Sequence, residues 1–157
     1  MNLNPLPITC QALIPESYLD EMGHMNVMWY AHLFGRATEG IFNLVGLTRD
    51  YFKSKPVGTF ALEQHVRFLT EVRAGQQVTV RTRLVGRSAK VFHFIHFLYN
   101  ETTKALSATG ESIGVHIDLR VRRSSPLPPE ITALFDRLLA EHRQLDWEPP
   151  LCGAMKC

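Results

Sequence analysis

The spacing of apolar residues predicts one long helix near the start of the chain. From Asn26 to Val45 apolar residues recur at every third or fourth position, which is typical of an amphipathic helix. Asn26 is a suitable N-cap residue, and Gly46 is a suitable C-terminal stop. The helix would have about five turns, long enough to cross a small sheet.

Alternation with a period of two predicts strands on both sides of this helix. We expect a first strand at residues 8–14 and four consecutive strands at residues 59–72, 77–85, 91–99 and 104–118. A second helix is expected at residues 130–142. Consecutive strands with tight turns form an antiparallel sheet, and the apolar face of the long helix must lie against it. The pattern therefore predicts an α+β fold in which a curved antiparallel sheet of about five strands wraps around one central helix.

The composition limits the cellular compartment and the kinds of partner that we expect. The 157 residues include 17 Lys and Arg against 15 Asp and Glu, a balance that argues against a nucleic-acid partner. No apolar run is long enough for a membrane span, and no signal-peptide pattern begins the chain. The three cysteines form no C-x-x-C pair, which favours a reduced, cytoplasmic protein. We expect a single domain at residues 1–145 and a flexible tail at residues 146–157.

The residues with the clearest chemistry lie in the loop before the long helix. Asp20, Gly23, His24 and Asn26 place a carboxylate beside the unpaired N–H groups of a helix start. Such amides can hold a developing oxyanion, while the carboxylate activates water or attacks directly. Gly23 allows a sharp turn. These parts suit acyl transfer without a metal, although Asp20 taken alone would more often cap a turn.

The run D-x-x-G-H-x-N-x-x-x-Y from Asp20 to Tyr30 resembles the hotdog-fold acyl-CoA thioesterases of the 4-hydroxybenzoyl-CoA thioesterase type. The resemblance covers roughly residues 8–120, including the order of the elements. It implies that Asp20 is the general base or the nucleophile, and that a helix-start amide such as that of Val27 binds the thioester oxygen. It also implies that His24 and Asn26 shape the site.

The chain departs from the common family pattern at two positions. Tyr18 stands where many relatives have an earlier Asp, and Val27 stands where many have a second Asn. Asp20 is unaffected, so these departures bear on the acyl specificity.

Residues 23–27 and 63–69 resemble the subgroup associated with carnitine 3-dehydrogenase, which implies betainyl-CoA as substrate and glycine betaine as product. A quaternary ammonium group needs aromatic faces or a counter-charge. Glu63 is a candidate counter-charge, as an alternative to Phe60 on the opposite face of its strand. The candidate aromatic residues are Tyr18, Trp29, Tyr30 and Phe60. Packing in the core is the more common role of such residues.

The remaining expectations concern coenzyme A and the oligomer. Arg87 and Lys90 are candidate ligands of the CoA phosphates, although charged runs are more often solvated surface. The resemblance implies no cofactor other than CoA as part of the substrate. It also implies a homodimer whose sheets join edge to edge, with active sites near the interface, or a homotetramer.

The sequence is also compatible with two other functions. A hotdog dehydratase or hydratase would use a histidine with an acidic residue, and His65 with Glu63 is such a pair, although a polar strand face is the more common explanation. A non-catalytic acyl-CoA-binding module is the second alternative. His93 and His96 are three apart on one strand and point to opposite faces, so we expect no metal site there.

Overall fold

An antiparallel sheet of six strands curls around one long helix in the computed structural model, which describes all 157 residues. The helices are α1 (Val27–Leu44), α2 (Arg49–Ser54) and α3 (Pro129–Arg143). The strands are β1 (Ile8–Leu13), β2 (Val57–Phe68), β3 (Gln77–Arg87), β4 (Val91–Asn100), β5 (Ala105–Asp118) and β6 (Arg123–Ser124). The predicted hotdog arrangement is confirmed.

The order of the strands in the sheet is β1-β3-β4-β5-β2, with β6 beside the end of β5. All neighbouring strands are antiparallel. Although β2 and β3 follow one another along the chain, they lie apart, because residues 69–76 carry the chain from one side of the sheet to the other. As a result, β2 pairs only with β5, and its other side is a free edge twelve residues long.

Helix α1 fills the concave side of the sheet. The side chain of Asn26 accepts the N–H of Met28 at 3.0 Å, as expected of an N-cap residue. After the helix, Gly46 has a φ of +80°, a conformation that glycine adopts at no steric cost. The buried face of the helix packs on the concave face of the sheet and consists of Tyr30, Leu33, Phe34, Ala37 and Ile41. The predicted bounds and N-cap of this helix are therefore confirmed.

A β-bulge changes the face that part of β2 presents. The pairing with β5 shifts between Ala61 and Glu63, so Leu62 is an extra residue. Phe60 pairs with Val115 and Glu63 with Ile113, and these two partners are two residues apart on β5. Phe60 and Glu63 therefore lie on the same face of the sheet, and the expectation from simple alternation that they lie on opposite faces is wrong.

The segment at residues 146–157 packs on the convex face of the sheet, where the sequence analysis expected a flexible tail. The ring of Trp147 lies edge-on against Phe97 with 5.7 Å between ring centroids, and Met155 is buried. Ile95 and Phe97 on the convex face are fully buried beneath this segment and the N-terminal residues. An apolar patch on the second face of the sheet needs such a cover, which explains why the segment packs. None of the helices has the length and apolar character needed to cross a membrane.

Candidate active site at the start of the long helix

The loop before α1 is a narrow turn that brings two side chains together. Leu19 and Met25 pair as an isolated bridge, and the Asp20 N–H donates to the His24 carbonyl at 3.0 Å. The Gly23 N–H donates to the Asp20 carbonyl at 3.0 Å and closes the turn, with Gly23 at a φ of +80°. Because the chain reverses within these residues, the side chains of Asp20 and His24 lie side by side.

The carboxylate of Asp20 is oriented and accessible. Its Oδ1 accepts the N–H of Met22 at 2.9 Å, and its Oδ2 lies 3.5 Å from Nδ1 of His24. The side chains of Asp20 and His24 are 25% and 35% exposed, respectively. A carboxylate fixed through one oxygen and open at the other can take a proton from water or attack a carbonyl carbon.

The same loop fixes the start of α1. The Asn26 N–H donates to the Tyr18 carbonyl at 2.9 Å, and the Met25 N–H donates to Val72 at 2.7 Å. The Asn26 side chain takes the Met28 N–H, while the N–H of Val27, the first helical residue, is one of those that an α-helix leaves without an internal acceptor. With the positive end of the helix dipole behind it, this N–H suits an oxyanion.

A cleft of about 410 Å³ opens beside the helix start. His24, Val27 and Tyr30 line one side of it, and residues 68–71, at the end of β2, line the other. His24 thus contacts both the cleft and Asp20. The structure places Asp20 beside His24, and it places His24 and Val27 along the same cleft.

The four aromatic residues considered for a cation cage do not meet. The rings of Tyr18 and Trp29 stack on each other with centroids 3.6 Å apart, and neither lines the cleft. Tyr30 is buried with its ring edge-on to Phe68 at 5.0 Å, and burial raises the pKa of its phenol. Phe60 lies at the other end of β2.

A second, narrower cleft of about 80 Å³ lies between the C-terminal half of α1 and the sheet. Three of its phenylalanine rings contact one another: Phe42 is 5.3 Å from Phe92 and 6.4 Å from Phe94, centroid to centroid. No charged side chain lines this cleft, which also includes Thr38, Phe60, Gln64 and Ser112. Sequence reasoning missed it, although the aromatic density of β4 was visible.

His96 supports the second cleft from within the core. Its Nδ1 lies 2.7 Å from the hydroxyl of Thr82, and its Nε2 lies 3.0 Å from that of Thr38. Because the Thr38 hydroxyl donates to the Phe34 carbonyl, it accepts from Nε2, so Nε2 carries the proton. Burial lowers the pKa of His96 to about 3, and the ring is neutral at physiological pH.

The basic candidates lie far from Asp20 within one chain. Arg87 donates from Nε to Asp136 of α3 at 2.7 Å, and Lys90 is exposed in the turn between β3 and β4. This turn is at the end of β3 opposite to the Asp20 loop, roughly 30 Å away along an eleven-residue strand.

His65 and Glu63 are exposed on β2. The carboxylate that neighbours His65 belongs to Glu111, its pairing partner on β5, and this group lies on the convex face, away from α1. His93 also contacts Glu111 on this face, whereas His96 lies under α1, so the two histidines do point to opposite faces. No geometry here favours a hydratase site built from His65 and Glu63.

Comparison with known proteins identifies the family of the chain. Residues 15–135 match the model of the thioesterase-like superfamily. A betainyl-CoA thioesterase from Pseudomonas aeruginosa is 33% identical over 133 residues, which are 85% of this chain and 83% of that protein. The L-carnitine dehydrogenase/betainyl-CoA thioesterase of Agrobacterium fabrum is also 33% identical, over 131 residues and 83% of this chain.

The matched region is only 27% of the Agrobacterium protein, so the chain spans about a quarter of that relative. A Staphylococcus aureus protein solved in complex with CoA superposes with a TM-score of 0.86 at 20% identity, covering 97% of this chain and 96% of that one. The extent of the family match and the identity to the Pseudomonas protein place the sequence in a known group. The chain belongs to the thioesterase-like superfamily.

Proposed function

We propose that the protein hydrolyses an acyl-CoA thioester to a carboxylic acid and free CoA. The observation that carries this proposal is the Asp20 carboxylate, fixed by the Met22 N–H and 3.5 Å from His24 at the start of α1. Asp20 either takes a proton from the water that attacks the thioester carbon, or attacks that carbon itself and forms an anhydride that water then hydrolyses. The N–H of Val27 stabilises the oxyanion, and the CoA thiolate leaves. The reaction consumes no cofactor.

The substrate that we propose is betainyl-CoA, which yields glycine betaine. Two relatives at 33% identity carry this substrate in their names. The cleft between α1 and the sheet has no charged lining and includes Phe42, Phe92 and Phe94, whose π-systems suit a compact cation. A cation–π contact of this kind contributes about 0.5–2 kcal/mol, more where water is excluded. The narrowness of the cleft favours a trimethylammonium group over a long acyl chain.

A short acyl group requires that this cleft lie close to a catalytic carboxylate, which a single chain does not provide. Thr38, at the cleft, is twelve residues beyond Asn26, or about 18 Å along α1. A second copy of the chain could bring the two together, because the exposed twelve-residue edge of β2 is able to pair with the same edge of another copy. A two-fold axis near the middle of β2 would place the Phe68 end of one strand beside the Phe60 end of the other.

We therefore propose a homodimer, alone or within a tetramer, whose active site combines the two chains. The Asp20 loop of one chain would face the phenylalanine cleft of the other, and the basic end of that second chain, with Arg87 and Lys90, would meet the CoA phosphates. We place the enzyme in the cytoplasm, because its three cysteines are unpaired.

The first experiment measures thiol release from betainyl-CoA and from acetyl-, medium-chain and aromatic acyl-CoAs. Asp20→Asn should lower kcat by ~10²-fold or more, the usual contribution of a positioned acid–base group. An asparagine still accepts the Met22 N–H, so the loop should keep its shape. Asp50→Asn, at an exposed position in α2, is the matched control. Near-normal turnover by Asp20→Asn would remove Asp20 from the mechanism.

The substrate is tested with a neutral isostere, 3,3-dimethylbutanoyl-CoA, which replaces the ammonium nitrogen by carbon. Phe42→Leu should reduce kcat/KM for betainyl-CoA by roughly 5-fold more than for the isostere, because only the cation loses a π contact. Trp29→Ala, outside both clefts, should reduce the two values equally. If Phe42→Leu reduces kcat/KM equally for both substrates, the cleft does not bind the cation. If Trp29→Ala reduces kcat/KM selectively for betainyl-CoA, Trp29 binds the cation instead.

The composite site is tested by mixing two inactive chains. Asp20→Asn removes the carboxylate and Phe42→Trp fills the cleft, so a mixed dimer would contain one intact site. Random mixing should restore about a quarter of the wild-type activity, because half of the dimers are mixed and each has one working site of two. No recovery from a mixture shown to exchange subunits would mean that each site belongs to one chain.

A further inference from the structure

A second cluster of reactive side chains lies on the convex face of the sheet. His65 on β2, Glu111 on β5 and Cys152 of the C-terminal segment have donor atoms that all lie within 4.8 Å of one another. The three residues come from distant parts of the sequence. Glu111 is 2% exposed, Cys152 is half-buried and His65 is exposed, so solvent reaches the cluster from one side.

The carboxylate of Glu111 is held in place by two hydrogen bonds. Its Oε1 lies 2.8 Å from Nε2 of His93, and its Oε2 accepts the N–H of Cys152 at 2.7 Å. Each oxygen keeps a free lone pair, so the carboxylate is a ligand that is already oriented.

This cluster is separate from the proposed thioesterase site. Gly110 and Ser112, on either side of Glu111, face α1: a Cβ on Gly110 would come within 2.8 Å of the Phe34 ring, and Ser112 lines the narrow cleft. Because successive residues of a strand point to opposite faces, Glu111 faces the convex side. The cluster therefore has no part in the chemistry of Asp20.

We propose that His65, Glu111 and Cys152 bind a divalent transition-metal ion, with Zn²⁺ as the best match. An imidazole nitrogen, a carboxylate oxygen and a thiolate sulfur are the ligands that Zn²⁺ takes in proteins, and three protein ligands leave a fourth position for water. The Cys152 thiol proton goes to solvent when the sulfur binds the metal. His93 is a positioning residue, because it bonds the ligating carboxylate from behind.

The metal would tie the C-terminal segment to the sheet. Without a metal, three hydrogen bonds hold this segment. The backbone N–H of Cys152 donates to the Glu111 carboxylate, and the Arg83 guanidinium donates to the Trp147 carbonyl at 2.5 Å. The Trp147 indole donates to the Asn2 carbonyl at 3.1 Å. A bound ion adds a link between this segment, β5 and the edge strand β2. Since binding favours the folded form, it should raise the melting temperature of the whole protein.

The test is metal binding by the full chain after treatment with EDTA. The protein is titrated with Zn²⁺ against a chromophoric chelator, and with Co²⁺ to detect thiolate-to-cobalt charge-transfer absorption. Wild type and Cys157→Ser, a nearby exposed cysteine, should bind one ion per chain and show this absorption. Cys152→Ser and His65→Ala should bind ~10²-fold more weakly or not at all, whereas His32→Ala, on the exposed side of α1, should bind normally.

His93→Gln should keep one ion per chain but weaken its binding by ~10–100-fold, as the loss of a supporting hydrogen bond does. Melting curves without metal show whether each variant is folded. If folded wild type binds no metal, or if Cys152→Ser binds as tightly as Cys157→Ser, the cluster is no metal site and Glu111 only caps the Cys152 N–H. Thiol release from acyl-CoA does not enter this test, so its outcome is independent of the proposed function.

Discussion

Replacing Gly40 by alanine tests how closely β1 and α1 approach each other. A Cβ at Gly40 would lie 2.9 Å from both the carbonyl carbon and the Cα of Thr9, and closer still to the Thr9 oxygen. Carbon atoms normally come no closer than about 3.5 Å. Because both sides of this contact are main chain, no side-chain rotation can relieve the clash. The helix and the strand must separate.

The expected cost follows from that separation. Overpacking a well-packed core costs about 1–3 kcal/mol, and a contact between two main chains belongs at the upper end. Alanine recovers about 1 kcal/mol over glycine in a helix, so the net loss in the free energy of unfolding is about 2 kcal/mol. For a chain of this size, that lowers the melting temperature by about 4–8 °C.

Gly35 on the same helix is the matched control, since a Cβ there would meet nothing within 4 Å. Gly35→Ala should gain up to about 1 kcal/mol from helix propensity alone. Thermal and urea unfolding of both variants, at one protein concentration, give the comparison. If Gly40→Ala proves as stable as Gly35→Ala, then β1 does not press on α1 as described, and the packing of the C-terminal half of α1 on β1 must be revised.

Three further predictions concern groups around α1. The pKa of His96 is about 6.5 in the unfolded chain but about 3 in the native chain, so below pH 6.5 only the unfolded chain takes up this proton. The free energy of unfolding should therefore fall by about 1.4 kcal/mol per pH unit as the pH drops below 6.5. Urea unfolding at pH 7 and pH 5 measures this loss, which should be smaller in His96→Gln; an unchanged loss would contradict it. Asn26→Ala should lower the free energy of unfolding by about 1 kcal/mol, because the N-cap bond is lost, and it should also lower kcat. Asn43→Ala, at an exposed position near the end of α1, should change neither quantity. Thr38→Val should cost about 1–3 kcal/mol by unpairing the buried N–H of His96, and full stability of this variant would refute the assigned tautomer.

The parts that could be predicted from the sequence are those encoded locally. The bounds of α1 follow from one apolar stripe and one N-cap, and both signals lie within the helix or next to it. The Asp20 loop is also local, since its residues fall within seven positions and the turn at Gly23 is enough to bring Asp20 beside His24. The antiparallel pairing of β3 with β4 and of β4 with β5 is local for the same reason, because these strands follow one another along the chain, whereas the position of β2 beside β5 is not.

The parts that were missed depend on contacts between distant segments. The bulge at Leu62 arises from the fit of β2 to β5, and alternation along β2 alone gives no sign of it. The segment at residues 146–157 has the composition of a mobile tail, yet Ile95 and Phe97 on the convex face provide a surface that it covers. The group of His65, Glu111 and Cys152 has no characteristic spacing, because its members meet only after the sheet and that segment have packed.

The residues proposed for the chemistry and those proposed to bind the acyl group lie in two separate clefts. In the proposed mechanism, the loop at Asp20 supplies the charge and the helix-start amide that any thioester requires, so its residues say little about the acyl group. The phenylalanines of the second cleft come from α1, β2 and β4, outside that loop. Substitutions there would change the acyl group that fits without altering the carboxylate or the amide. Replacing Tyr18 or Val27 by the family's usual residues should therefore change acyl preference less than replacing Phe42, and kcat/KM for betainyl-CoA and its neutral isostere measures the difference.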